Sequence, residues 1–203
     1  MERSFSYDDR ILEVESGSTV LGWFQSWKYF PEIADEIRSR ILAMSQPSQW
    51  YLSMKKQIRP GTGSVVLNVR RGDYLVAKNY SHHGIASASY YYRALELIQR
   101  LGLDGPIYVA SDSIDVAMEE LASIDNLLPL VPPPGVNPLE VLLLLSRSDA
   151  FVAANSTFSW WAAFLGERPG QIVIAPRPWF SSFGLDTRDL LPPSWLTLDR
   201  EAD

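Results

Sequence analysis

The chain has 203 residues, 46% of them hydrophobic, a formal net charge of −6, two histidines and no cysteine. This content supports a globular core, and the acidic balance argues against nucleic acid as a partner. The missing cysteines exclude a disulfide framework and thiol catalysis, and with His82 and His83 as the only histidines no metal site is expected.

The first ten residues lack the apolar run of a signal peptide, and no stretch approaches the ~20 apolar residues of a membrane span. A cytoplasmic location is expected, with peripheral contact to a membrane left open. Val20 to Gln25 reads as a short strand, and Ser26 to Phe30 as a turn carrying aromatics. Pro31 suits a first helical turn, followed by Ile33, Ile37, Ile41 and Leu42 on one face as far as about Met44. Trp50, Met54 and Ile58 space out a second short helix. After the breaker Pro60-Gly61-Thr62-Gly63, Val65, Val66, Leu67 and Val69 predict a buried strand, and at its end stand Arg70, Arg71, Gly72 and Asp73.

Leu75 to Ala88 is polar and without period, a candidate functional loop. Ser89 is the expected N-cap of a helix with Tyr92, Leu95 and Ile98 on its apolar face, stopped at Gly102. Pro106 to Ala110 predicts a strand ending in Ser111-Asp112-Ser113, and a helix follows from Ile114 to Leu121. Five prolines between Pro129 and Pro138 make a rigid connector. Leu139 to Arg147 reads as a helix, Asp149 to Ala154 as a strand, and Phe158 to Leu165 as a helix stopped by Gly166. Gln171 to Ala175 is the last expected strand, and the tail shows no clear element.

This alternation predicts an α/β fold with a parallel sheet flanked by helices. Three strand ends then bring polar groups to one edge: Asn68 to Asp73, Ser111 to Ser113, and Asn155 to Ser159. Ligands of open α/β sheets bind at that edge, and paired arginines suit a phosphate or pyrophosphate, although an ion-paired surface loop would use the same residues. Ser156 and Thr157 stand where a helix begins, a position for a cap or for an anion. Asp112 is placed to accept hydrogen bonds from a nucleobase or ribose. No Gly-rich phosphate loop is present, which disfavours P-loop and dinucleotide enzymes.

The runs Leu21 to Phe30 (LGWFQSWKYF), Val69 to Tyr74 (VRRGDY), Ser111-Asp112 and Asn155 to Trp161 (NSTFSWW) resemble, in order and spacing, the motif series of the galactoside α-1,2-fucosyltransferases. Ala175-Pro176 and Trp179-Phe180 resemble that family's closing segment. The resemblance implies a Rossmann-like domain corresponding to the C-terminal, donor-binding half of a two-domain GT-B glycosyltransferase. Residues 61–203 would be the GDP-fucose-binding domain, and 1–60 a connecting segment with a remnant of the N-terminal acceptor region. It implies GDP-fucose as donor substrate without cofactor or obligatory metal, and a β-galactoside glycan as acceptor. Arg70 and Arg71 would hold the pyrophosphate, with Asn68, Asp112, Asn155, Ser156, Thr157 and Ser159 completing the donor set.

On the same resemblance Arg71 also neutralises the departing GDP, and Asp73, then His83, is the candidate base for the acceptor hydroxyl. Two departures stand out: Asn68 occupies a position where the family has histidine, and the family's Gly-Gly-Leu-Gly-Asn-Gln motif has no counterpart. Two alternatives remain at this point. One is a truncated relative that binds a GDP-sugar without transfer and needs a partner or self-association, through apolar surface on Trp23, Trp27 and the first helix. The other is a fucosyltransferase of α-1,6 or protein O-linked specificity.

Overall fold

Along β1 (Val65–Val69) every side chain is buried, and the two-residue period of a strand divides them between two cores. Val65, Leu67 and Val69 join one apolar cluster, and Val66 joins the other. Burial on both faces is the mark of a central parallel strand, and each of these side chains contributes about 1.5–3 kcal/mol by leaving water. The computed structural model describes residues 5–29, 32–43, 46–75, 81–182 and 185–201. Among them β1, β2 (Ile107–Ser111), β3 (Leu127–Pro129), β4 (Ala150–Val152), β5 (Ile172–Arg177) and β6 (Leu196–Asp199) form one sheet. Its order is β3-β2-β1-β4-β5-β6, and all five pairings are parallel. Val65 pairs with Ile107 on one side and Ala150 on the other.

The chain therefore runs outward from β1 to β3, returns to β4 beside β1, and continues to β6. This places a topological switch point between β1 and β4. Helices α3 (Ala88–Arg100) and α4 (Ile114–Glu120) supply Tyr90, Tyr91, Ile98 and Ala117 to the cluster on one face. On the other, α2 (Gln49–Gln57), α5 (Pro138–Leu145) and α6 (Thr157–Gly166) supply Tyr51, Leu144 and Trp160, with Ile37 and Ile41 of α1 (Ala34–Ala43) packed against them. Trp160 is fully buried, stacks on Phe164 and donates its indole N–H to the Leu190 carbonyl, so this tryptophan serves the core.

Several elements depart from the sequence expectation. Residues 20–25 form no strand: Val20, Leu21 and Trp23 are exposed and Phe24 turns left-handed with φ +48°. An extended segment needs a neighbour for its backbone groups, and this one runs over the surface to Ser26 and Lys28, which bind Asp189 instead. Trp27 packs against the core, whereas Trp23 is 79% exposed. The N-cap of α3 is Ser87, whose hydroxyl accepts from Tyr90 N–H; Ser89 lies inside the first turn. The two outermost strands, β3 and β6, were not expected. Both are short, and Pro129 at the end of β3 reads as a breaker until the sheet edge is known to tolerate it.

Candidate active site

The three polar strand ends converge at the C-terminal edge of the sheet. A crevice of about 430 Å³ opens at the switch point, lined by Asn68, Arg70, Ser111, Asp112 and Ser156, with an apolar wall of Leu130, Pro132, Val136, Val141 and Phe158. The proline-rich connector thus forms one side of the site. Its rigidity fixes Pro132 and Val136 in that wall, while Val141 of α5 and Phe158 of α6 complete it.

At the end of β1 the two arginines part. Arg70 stays at the crevice: its guanidinium pairs with Asp112 at 3.1 Å and with Asp73, and lies 5.2 Å from the centre of the Tyr74 ring. Its Nε is buried and has no hydrogen-bond partner among the described residues. Arg71 turns inward and is 1% exposed, with Nε 2.7 Å from Glu120 and its terminal nitrogens donating to the carbonyls of Arg70 and Ala86. This differs from the expectation that both guanidinium groups face the ligand. The alternation of side chains along an extended backbone sends neighbours to opposite sides. Asp112 anchors the turn by accepting the Arg71 N–H at 2.8 Å.

Asn68 points to the α6 side of the sheet, where its amide donates to the Ala110 carbonyl at 3.2 Å and accepts from the Ser159 hydroxyl. Ser156 caps α6 by accepting the Ser159 N–H at 3.1 Å. By helix geometry the N–H groups of Thr157 and Phe158 then remain as first-turn donors at the crevice mouth. Asn155 is 1% exposed, and its Nδ2 donates to the carbonyls of His83, Gly84 and Trp179, while its Oδ1 has no partner among the described residues.

Beyond Asn155 lies a second, smaller cavity of about 100 Å³, lined by Trp23, Tyr74, His82, His83, Asn155, Thr157, Trp179 and Phe180 among others. His83 stacks on Tyr74 with ring centres 4.6 Å apart. Burial, and after it the neighbouring His82, hold the His83 imidazole below its ordinary pKa, so it is neutral at pH 7. Burial raises the Tyr74 phenol, which stays protonated and donates to the Asn155 carbonyl at 3.3 Å. Arg70, which lines the crevice, and Tyr74, which lines the smaller cavity, join the two spaces.

The sequence model of glycosyl transferase family 11 matches residues 15–199, which includes every strand and all the residues just described. The chain belongs to glycosyl transferase family 11. It is 29% identical over 201 residues to the O-antigen biosynthesis glycosyltransferase WbnK of Escherichia coli, covering 92% of this chain and 63% of WbnK. It is 28% identical over 202 residues to an alpha-1,2-colitosyltransferase of Escherichia coli, covering 97% of this chain and 68% of the relative. To the galactoside alpha-(1,2)-fucosyltransferase 1 of Leontocebus fuscicollis it is 25% identical over 148 residues, 69% of this chain and 40% of that one. The chain thus spans about two thirds or less of these relatives' lengths.

Within this family 11 chain the crevice gathers Asn68, Arg70, Asp112 and Ser156, and the smaller cavity gathers His83, Asn155 and Thr157. Ser159 lies beneath, holding Asn68, and Asp73 is a half-exposed partner of Arg70 that lines neither space. Tyr74, Trp179 and Phe180 were not singled out as site residues from the sequence, although Tyr74 directly follows Arg-Arg-Gly-Asp. Glu120 carried no signal, being 49 positions from its arginine.

Gly72 shows how tightly the turn is built. A Cβ there would meet Asp112 Oδ2 at 2.2 Å, so Gly72→Ala must push the Asp112 carboxylate off Arg70 and off the Arg71 N–H. A loss of about 1–3 kcal/mol of stability is expected from the displaced hydrogen bonds. Denaturant melts of Gly72→Ala read this crowding directly, because Gly72 has no positive φ whose substitution would add backbone strain.

Proposed function

We propose that this chain is the donor-binding part of a family 11 transferase that moves L-fucose from GDP-fucose onto a β-galactoside of a glycan, in α-1,2 linkage and with inversion. The observation that carries the reading is the crevice at the β1/β4 switch point, with Arg70 on one side and the start of α6 on the other. The diphosphate would lie between the Arg70 guanidinium and the Thr157 and Phe158 N–H groups, where charge develops as GDP departs. The guanine would enter against the apolar connector wall, within reach of Asp112. Fucose and the acceptor hydroxyl would then fall toward the smaller cavity, whose aromatic rings suit a sugar face and whose Asn155 Oδ1 is an unused acceptor. The motif series supports the α-1,2 linkage, as do the names of two relatives; those names differ in the sugar, so the donor rests on the motifs.

For the base we favour His83 over Asp73. His83 is neutral and lines the cavity, whereas Asp73 lines neither space and is held by Arg70. Asp73 pairs with the Arg70 guanidinium that the phosphate would need. Calorimetric titration with GDP, followed by GDP release from GDP-fucose in the presence of lactose, tests the whole reading. GDP should bind, and Asp73→Asn should bind it up to about fivefold tighter, as suits a half-exposed ion pair. Since the neutral imidazole is the working base and its pKa is lowered, the rate should fall only below the ordinary imidazole value, and His83→Asn should remove that limb. A turnover lost in Asp73→Asn and kept in His83→Asn would reverse the assignment; no GDP binding at all would sink the proposal.

A second reading is favoured by the 63% share of WbnK that the chain spans: a GDP-sugar-binding unit that transfers only with a further protein part. GDP binding without turnover would select it.

A further inference from the structure

The opposite edge of the sheet carries a different kind of site. Between α2 and α5, where the chain enters β1 and β4, lies a groove of about 590 Å³ with Tyr51 and Leu143 in its wall and Lys55, Lys56, Arg59 and Arg147 around it. No ion pair of the described residues involves any of these four cations. Glu140, a buried carboxylate in the lining, is held by Ser48, whose N–H and hydroxyl both donate to it. Residues 46–60 contain no Asp or Glu in a chain of net charge −6, so the positive potential is concentrated here.

The groove also has an ordered frame. Tyr51 and Leu143 are buried core residues, the Lys55 ammonium lies 5.8 Å from the Tyr51 ring centre, and the Arg147 Nε is fixed to the Ile58 carbonyl at 3.2 Å. Cations over an apolar floor match a ligand with a phosphate next to an apolar body. The four cations are confined to this one groove in a chain of net charge −6, which suits a single phosphate better than an extended polyanion. We propose that this groove binds the phosphate headgroup of an anionic lipid and so seats the chain on a membrane by the N-terminal edge of its sheet. That seating leaves the crevice at the other edge open, and it holds whether or not the transferase reading does.

Flotation of the full chain with phosphatidylcholine vesicles containing ~30 mol % phosphatidylglycerol tests the proposal, with pure phosphatidylcholine as reference. Binding only to the anionic vesicles is expected, weakening with salt. The triple variant Lys55→Gln, Lys56→Gln, Arg59→Gln should lose about fivefold per cation, roughly a hundredfold in all. Arg147 is left in place because it holds Ile58, and matching thermal melts show that the variant is folded. Vesicle binding unchanged by the three substitutions, or equal on both compositions, overturns the proposal. So does a chain that takes inorganic phosphate through these residues yet does not float with anionic vesicles, since its ligand is then a free phosphate.

Discussion

Arg70→Ala is expected to lower kcat/KM for the GDP-sugar by about 10²–10³, the loss found when one preorganised donor to a developing charge is removed. GDP affinity should fall about 10–100-fold, from one charge-assisted hydrogen bond worth roughly 1.5–3 kcal/mol. Stability should stay within about 1 kcal/mol of wild type, because the Arg70 side chain is 33% exposed and its partner Asp73 is 55% exposed. Two carboxylates face Arg70, so in the proposed function binding would be an exchange: the diphosphate would take the place of Asp73 while Asp112 keeps the turn in register. Arg70→Lys should recover only part of the loss, since an ammonium cannot present a fork to two phosphate oxygens. Calorimetry with GDP, steady-state turnover and a denaturant melt measure the three quantities separately. An Arg70→Ala protein that binds GDP as wild type does would remove the central support of the proposed function.

The parts of the fold that could be read from sequence are those where one local signal decides. The apolar run of β1 after Pro60-Gly61-Thr62-Gly63, the polar ends of three strands and the capping hydroxyl of Ser156 all stand where they were expected, and the sheet brings them to one edge. What was not legible depends on partners distant in the chain. Asn68 reads as a ligand group by its place in a motif, yet both ends of its amide are engaged, one by Ser159, 91 positions away. β6 has visible alternation in Leu196-Thr197-Leu198, but only β5 beside it makes so short a segment a strand. Conversely, residues 20–25 have strand-like composition but pair with no strand among the described residues. The double arginine is the sharpest case, because adjacent identical residues carry no mark of which one faces the ligand.

That ambiguity yields the prediction with the largest effect on stability. Arg71→Ala should destabilise the chain by about 2–4 kcal/mol, while any folded fraction loses less GDP affinity than Arg70→Ala does. The guanidinium is fully desolvated: Nη2 lies 2.6 Å from Glu120 and donates to the Ala86 carbonyl at 2.8 Å, Nε lies 2.7 Å from Glu120, and Nη1 donates to the Arg70 carbonyl at 2.9 Å. Truncation leaves the buried Ala86 carbonyl and the part-buried Arg70 carbonyl short of donors, and a cavity against α3 and α4. Glu120 is 34% exposed and can turn to water, which keeps the cost below that of a wholly buried pair. Arg71→Lys cannot replace the fork and should recover little. Glu120→Gln should cost about 1–2 kcal/mol, and in the double variant with Arg71→Ala the two losses should sum to more than the measured total, as for any directly bonded pair. Urea melts of the four proteins decide this. If Arg71→Ala instead melts as wild type does and fails only to bind GDP, Arg71 must leave Glu120 to meet the ligand, and both arginines belong to the diphosphate. The burial argues the other way: of two adjacent arginines, one builds the turn that aims the other.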